Sequence, residues 1–319
     1  MPSSTPPTET DPPTDPPPTG WVEQDGKQYY YGDDSVLRVG AQEIDGTIYC
    51  FGEDGALFGE GWQDIGDDRY YVNAGGTAYT GWLELDDNLY YLQTDGTMAR
   101  GRLEIEGQTW FFTSAGCQFY VVNPWYYVPE DYNVTLVKLP DSYGTNRYVA
   151  EEMYEPLMQM IRDCEAAMRD MFAGTGETVP TLWVRSANRT NSDQNYLFQN
   201  KVDRVLAAHP EYTRAQAEAE AATTVALPGT SEHQLALAVD IVDARLNSLV
   251  EEQENLEGQQ WLMEHCHEYG FILRYPKGTT DVTGIIYEPW HYRYVGLELA
   301  AELHALGMTV EEYIEMLSE

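Results

Sequence analysis

Two short segments, GTSEHQLALAVDIV from Gly229 to Val242 and EPWHYRYVG from Glu288 to Gly296, hold the residues of this chain best suited to chemistry. His233, Asp240 and His291 are two imidazoles and one carboxylate, the donor set that a catalytic zinc ion takes when its fourth position is left for water. Glu288 stands three residues before the last of them. That placement suits a general base acting on such a water. If His233 to Asp240 were one straight strand, its ends would lie about 23 Å apart at about 3.3 Å per residue, too far for one ion to bridge. The chain must turn between them.

The alternation of Leu235, Leu237, Val239 and Ile241 predicts a strand that carries Asp240 on the face opposite those four. Pro289 pushes Glu288 toward an extended backbone, so Glu288 and His291 are expected at a strand or loop end rather than on one helical face. The EHCHE run, Glu264 to Glu268, is a decoy: His265 and His267 lie two apart on a predicted helix, about 200° from one another, and are expected at the surface. His209 and His304 have no partner ligand nearby in sequence. Without a nucleophile elbow, a phosphate loop or a paired Cys-His signature, covalent catalysis is not indicated.

The pattern SxHxxGxAxD followed later by ExxH is that of the VanY-type D-alanyl-D-alanine carboxypeptidases, zinc peptidases of bacterial cell walls, and the chain resembles them over roughly Val121 to Gly296. Ser231, His233, Ala238 and Asp240 fall on the first part, Glu288 and His291 on the second. The family keeps glycine where this chain has Ala236, and alanine there costs about 1 to 2 kcal/mol if φ is positive. SANRTNSDQ, Ser186 to Gln194, resembles the family's SGYRSxxxQ, with Ser186, Arg189 and Gln194 matching and Asn188 in place of tyrosine. The planar fork of an arginine suits a developing oxyanion or a terminal carboxylate, which makes Arg189 the candidate for that role. The plainer reading of Arg189 is a surface arginine before a helix. The resemblance further implies that Ser231 and Gln194 belong to the substrate site, that Zn2+ is the cofactor, and that the substrate is a peptidoglycan stem peptide ending in D-Ala-D-Ala. A DD-dipeptidase, a peptidoglycan endopeptidase, and a catalytically weak wall-adhesion protein are the alternatives on the same scaffold.

The elements around this site fall into four stretches: a Pro/Thr-rich linker over 1–19, repeats over 20–118, a connector over 119–134 and a zinc peptidase domain over 135–319. Five repeat units open at Gly20-Trp21, Gly40-Ala41, Gly61-Trp62, Gly81-Trp82 and Gly101-Arg102. Each carries an aromatic pair or its variant further on: Tyr29-Tyr30, Tyr49-Cys50, Tyr70-Tyr71, Tyr90-Tyr91 and Trp110-Phe111. Turn signals at Asp25-Gly26, Asp45-Gly46, Asp54-Gly55, Asp95-Gly96 and Glu106-Gly107 favour hairpins, because glycine accepts positive φ. A hairpin that small cannot bury its face alone, so the expected fold is an all-β solenoid of short hairpin repeats preceding an α+β peptidase domain.

The units resemble the cell-wall-binding repeats of Gram-positive surface proteins, a group that includes choline-binding and glucan-binding modules. In the choline-binding form a second tryptophan helps complete a cage that holds a quaternary ammonium. Here those places hold Gln28, Ile48, Arg69, Leu89 and Thr109. Trp21, Trp62, Trp82, Tyr70 and Tyr90 are either solenoid core or a surface for a wall polymer, teichoic acid or polysaccharide. This resemblance implies an extracellular, wall-associated protein.

Composition narrows the partners. A formal charge of −35 over 319 residues opposes binding to nucleic acid or an anionic membrane surface. No run approaches 18 apolar residues, so no membrane insertion is expected, and no basic-then-apolar signal sequence appears at the start. The repeats hold 18 acidic and 5 basic residues from Gly20 to Gln118, about their share of the excess, so charge does not single them out. Four cysteines without a CxxC pair make neither a disulfide framework nor a structural zinc site. Cys50 and Cys117 are expected to be buried thiols too far apart to bridge, whereas Cys164 and Cys266 could pair if their predicted helices pack together. In the second domain Met153, Leu157, Met160, Ile161, Cys164 and Met168 predict an amphipathic helix, and another is expected over about Leu249 to Tyr269. Thr213 with Gln216 and Thr309 with Glu312 read as capping boxes that open two more.

Overall fold

The computed structural model describes residues 18–86 and 88–318; apart from its last two residues, the expected linker over 1–19 lies outside them. Ten strands pair in order as five antiparallel hairpins: β1 (Gly20–Gln24) with β2 (Lys27–Tyr31), β3 (Gly40–Ile44) with β4 (Thr47–Phe51), β5 (Gly61–Ile65) with β6 (Asp68–Val72), β7 (Gly81–Leu85) with β8 (Asn88–Leu92), and β9 (Gly101–Ile105) with β10 (Gln108–Phe112). The short β11 (Gln118–Phe119) follows. By packing, the chain divides into two compact units, one running to Ala99 with Gly116–Gln118, the other holding Arg100–Ala115 and everything from Phe119.

In the first unit the period-2 alternation of a strand sorts each aromatic pair between two faces. The second member pairs across its own hairpin, Trp21 with Tyr30, Trp62 with Tyr71 and Trp82 with Tyr91. The first member turns to a neighbour: Tyr49 packs on Trp21 with ring centroids 4.8 Å apart, and Tyr90 on Trp62 at 5.0 Å. Backbone hydrogen bonds join successive repeats, from Leu57 N to Gln28 O, Ala78 N to Ile48 O and Met98 N to Arg69 O. Asp25-Gly26 and Asp45-Gly46 form hairpin tips with positive φ at both residues. Asp54-Gly55 and Asp95-Gly96 do not: they close the turn after the hairpin, with Gly55 N donating to Gly52 O and Gly96 N to Gln93 O. At Gly55, φ is 76° and a Cβ would stand 2.4 Å from the Leu37 side chain, so both conformation and space require glycine. Cys50 is buried in β4, but Cys117, outside the strands, is only partly buried, contrary to expectation.

The second unit mixes helices and strands. β12 (Leu136–Lys138) pairs with β13 (Tyr148–Ala150), and a four-stranded antiparallel sheet runs in the order β14 (Leu182–Ser186), β15 (Ala238–Asp243), β17 (His291–Tyr294), β16 (Phe271–Leu273). The helices are α1 (Glu151–Met171), α2 (Asn191–Ala208), α3 (Arg214–Ala222), α4 (Glu257–His265), α5 (Thr280–Thr283), α6 (Leu297–Leu306) and α7 (Val310–Ser318). The apolar stripe foreseen for α1 is buried along its length, in one core with Val184, Val239, Ile241 and Tyr292 of the sheet. Burying each such side chain stabilises the fold by about 1.5 to 3 kcal/mol. The capping boxes at Thr213 and Thr309 form, as does one at Thr190 with Asp193 that was not foreseen.

Two expectations change, and one open question closes. The strand expected from Leu235 begins only at Ala238, because Glu232–Leu235 is a 3-10 turn. The single helix expected over Leu249 to Tyr269 breaks into a 3-10 turn at Glu251–Asn255, α4, and another 3-10 turn at Cys266–Tyr269. Leu256 is extended, and the buried Gln253 amide ties the first turn to the end of β15 by accepting from Asp243 N at 3.0 Å and donating to Ser248 O at 3.0 Å. Cys164 and Cys266 do not pair: both are buried thiols, and burial pushes each up to about 12. Among the described residues no helix is long and apolar enough to cross a membrane.

Candidate metal centre

The turn between His233 and Asp240 is made at Ala236, in the left-handed region with φ 57° and ψ 19°. It ends the 3-10 turn and starts β15 two residues later, which carries His233 back over Asp240. His233 Nε2 lies 3.3 Å from Asp240 Oδ1. In the sheet register Asp240 pairs with His291, and His291 Nδ1 lies 3.1 Å from the same Oδ1. One donor atom from each of the three buried residues falls within 4.8 Å of the others.

This set fits zinc. Bonds of about 2.0 to 2.1 Å in a tetrahedron place ligand atoms about 3.3 Å apart, close to the two separations above. The tautomers fit as well: the Ala187 carbonyl, 2.8 Å from His233 Nδ1, can only accept, so Nδ1 carries the proton and Nε2 offers its lone pair. Burial, with Arg189 adding to it, lowers His233 to about 4 and keeps it neutral. Without metal, His291 is carried up to about 9 against the effect of burial, by the Asp240 carboxylate bonded to Nδ1 and the Glu232 carboxylate 3.5 Å from Nε2.

Glu288 lies in the loop before β17, as expected, with Oε2 3.7 Å from His291 Nδ1. It is 8% exposed, and burial, then the Asp240 charge, pushes its carboxyl up to about 8. A cavity of about 560 Å³ opens over these residues, with Leu197, Val225, Ile285 and Trp290 giving apolar wall and Arg189 and Ser231 polar wall. Arg189 is no plain surface arginine, its side chain being 18% exposed. It donates from Nη2 to Asp240 Oδ2 at 2.9 Å, from Nε to Ser186 Oγ at 2.8 Å and from Nη1 to Gln194 Oε1 at 3.2 Å. Gln194 is fully buried and donates to Ala226 O, so it stands behind Arg189 and does not line the cavity.

Four charged residues that the sequence did not single out stand behind the site. Glu232, 3% exposed, lies with Oε2 3.5 Å from His291 Nε2, and its Oε1 accepts from Arg274 Nε at 2.7 Å. Arg293 Nη1 lies 3.5 Å from the same Oε1, and Glu311 of α7 binds Arg274 from its other side. A signal existed: Arg293 is two residues from His291 on one strand and so shares its face, where a charge among buried positions is unusual. The decoy histidines lie partly exposed, His265 bonded to Glu268 and His267 stacked on His304. Neither belongs to the cluster of metal-capable side chains among the described residues.

In the repeats Trp21 is 43% exposed, Trp62, Trp82 and Tyr90 are partly buried, and Tyr70 is buried beside Cys50 and Val72. The Arg69 guanidinium lies 5.0 Å over the Trp62 ring, which Tyr71 and Tyr90 also contact.

Residues 157–297 match the profile of the D-alanyl-D-alanine carboxypeptidase family VanY, and residues 80–98 match a cell wall binding repeat of the choline-binding type. A D-alanyl-D-alanine carboxypeptidase of Enterococcus faecalis is 47% identical over 131 residues, 41% of this chain and 46% of that protein. The chain spans about half the length of most curated relatives it matches. Among solved structures, VanYB in complex with D-alanine-D-alanine is 36% identical with a TM-score of 0.52, the match covering 61% of this chain and 96% of that one. A VanY mutant in complex with Zn(II) is 35% identical with a TM-score of 0.51, covering 61% and 97%.

Proposed function

The chain belongs to the VanY family of D-alanyl-D-alanine carboxypeptidases, and on that premise we propose that it is a zinc-dependent peptidase removing the terminal D-alanine from peptidoglycan stem peptides. The observation that carries this reading is the convergence of His233, Asp240 and His291 donor atoms within 4.8 Å beside the buried Glu288 carboxyl.

His233 Nε2, Asp240 Oδ1 and His291 Nδ1 would hold the ion. Bound there, zinc supplies Lewis acidity to the scissile carbonyl and acidifies a water molecule. Glu288, placed beside the ligand His291, takes the proton of the attacking water and delivers it to the leaving amine nitrogen. Arg189 fixes Asp240 through Nη2 and presents its remaining N–H groups to the cavity, where an oxyanion or a terminal carboxylate accepts them. Ser231, also on the cavity wall, is placed to bond the peptide. The apolar wall excludes water around the scissile bond.

The hairpin repeats, stacked as a solenoid, hold the enzyme outside the cell against its polymeric substrate. Their contribution is local concentration rather than chemistry, with Trp21, Trp62, Trp82 and Tyr90 as the contact surface for a wall polymer.

The test is metal content together with release of D-alanine from a pentapeptide ending in D-Ala-D-Ala. One zinc per chain and release of single D-alanine are expected. Release of the dipeptide would assign a DD-dipeptidase, internal cleavage an endopeptidase, and zinc without turnover a wall-adhesion protein.

A further inference from the structure

Resting on the zinc reading above, we infer that Glu232 is a positioning residue, which sets the tautomer of His291 and so aims its Nδ1 lone pair at the ion. The argument begins with atoms that lack partners. Glu232 Oε2, His291 Nε2 and Arg293 Nη1 are each buried without a hydrogen bond, and they lie together: Nε2 is 3.5 Å from Oε2, and Nη1 is 3.5 Å from Glu232 Oε1. A buried polar atom without a partner is costly. The one rearrangement that satisfies both Oε2 and Nε2 is a hydrogen bond between them, with Nε2–H donating and the carboxylate accepting. An imidazole protonated at Nε2 and neutral overall has its lone pair at Nδ1, the atom that faces Asp240 Oδ1 at 3.1 Å.

Glu232 is itself held in place. Its Oε1 accepts from Arg274 Nε at 2.7 Å, and Arg274, whose side chain is 0% exposed, is bound on its other side by Glu311 of α7. Glu311 also accepts from the Asn123 side chain at 2.9 Å. A buried row of charges of this kind adds little net stability, because desolvation offsets the attraction. It does fix position. Glu232 is anchored from behind by the arginines, so its second oxygen is left for one purpose, the outward nitrogen of a metal-facing histidine. His233 has the matching arrangement, with the Ala187 carbonyl in the same role. The two histidines are therefore oriented by different acceptors, one neutral and one charged, and the charged one raises the basicity of His291 as a ligand.

Three measurements test this role. In the zinc-loaded wild type, long-range 1H–15N spectra should show His291 protonated at Nε2 and bare at Nδ1; the opposite pattern overturns the inference without any variant. Glu232→Gln should weaken zinc binding, read by competition with a chelator, by about 10- to 100-fold, and an unchanged Kd overturns the role. Glu311→Gln keeps an acceptor for Arg274 and should lower Tm while leaving the zinc Kd within a few-fold of wild type, since Arg274 Nε and Arg293 still hold Glu232 Oε1 directly; a loss of affinity equal to that of Glu232→Gln would show general loosening instead and count against the role. A wild type that takes up no zinc would remove the zinc reading and this role with it. One that binds zinc as tightly as Glu232→Gln removes only the role. If Glu232→Gln does not fold, the wild-type spectrum decides.

Discussion

Asp240 and His291 stand opposite each other on adjacent antiparallel strands, with Oδ1 of the first 3.1 Å from Nδ1 of the second. Fifty-one residues separate them in the chain, yet strand pairing makes them nearest neighbours. Register is what matters here, since slipping β17 by one residue would turn His291 to the core face. Asp240→Asn keeps the shape and removes the charge. Elemental analysis of that variant should show bound zinc falling from one per chain to a small fraction, with turnover lost in proportion.

Glu288 contributes no donor to the three-atom cluster. Glu288→Gln should therefore keep the metal and lose about 10²- to 10⁴-fold in kcat for D-alanine release. Activity within a few-fold of wild type would remove Glu288 from the base role.

The same residue makes a pH prediction for protein stripped of metal. Burial holds the Glu288 carboxyl up at about 8 against an ordinary 4.5. Between those values the folded chain keeps a proton that the unfolded chain has released, so stability falls as pH rises through the window, by roughly 1.4 kcal/mol per pH unit at most. Metal-free Glu288→Gln should lose less stability than metal-free wild type in urea titrations between pH 5 and 8. Parallel curves would contradict the buried-acid assignment.

Ala236 occupies a left-handed backbone position at φ 57° that favours glycine. Ala236→Gly should stabilise the protein by about 0.5 to 1 kcal/mol, the relief of strain being partly offset by greater freedom in the unfolded chain. Ala236→Val adds β-branching to the same strain and should cost more than Ala236→Gly gains. Thermal unfolding of the two variants checks both signs. A lower Tm for Ala236→Gly would mean that the buried Ala236 methyl contributes more through packing than its backbone costs.

Much of this molecule was legible from residue order, and the reasons are local. The hairpins open at the five glycines whose spacing marks the repeats, because tip geometry and strand alternation act over a few residues. The α1 stripe and the Thr213 and Thr309 boxes are read from residues three and four apart, and they form. The failures share a different cause. Leu235 joined a 3-10 turn rather than a strand, and the Leu249–Tyr269 helix broke at Leu256, where the buried Gln253 is bonded to β15, a partner distant in the chain.

The candidate site divides in the same way. Residue types and spacing offered His233, Asp240, His291 and Glu288 and required a turn before Asp240, because metal chemistry restricts which side chains serve and how far apart they can lie, and the resemblance to the VanY-type pattern made the choice specific. Only tertiary structure made Arg189 a clamp on Asp240 and put Gln194 behind it. It also assembled Glu232, Arg274, Arg293 and Glu311 behind His291. No short pattern announces such a row, since its members come from four separate segments. What unites them is the loss of water around them, and burial is a property of the folded chain.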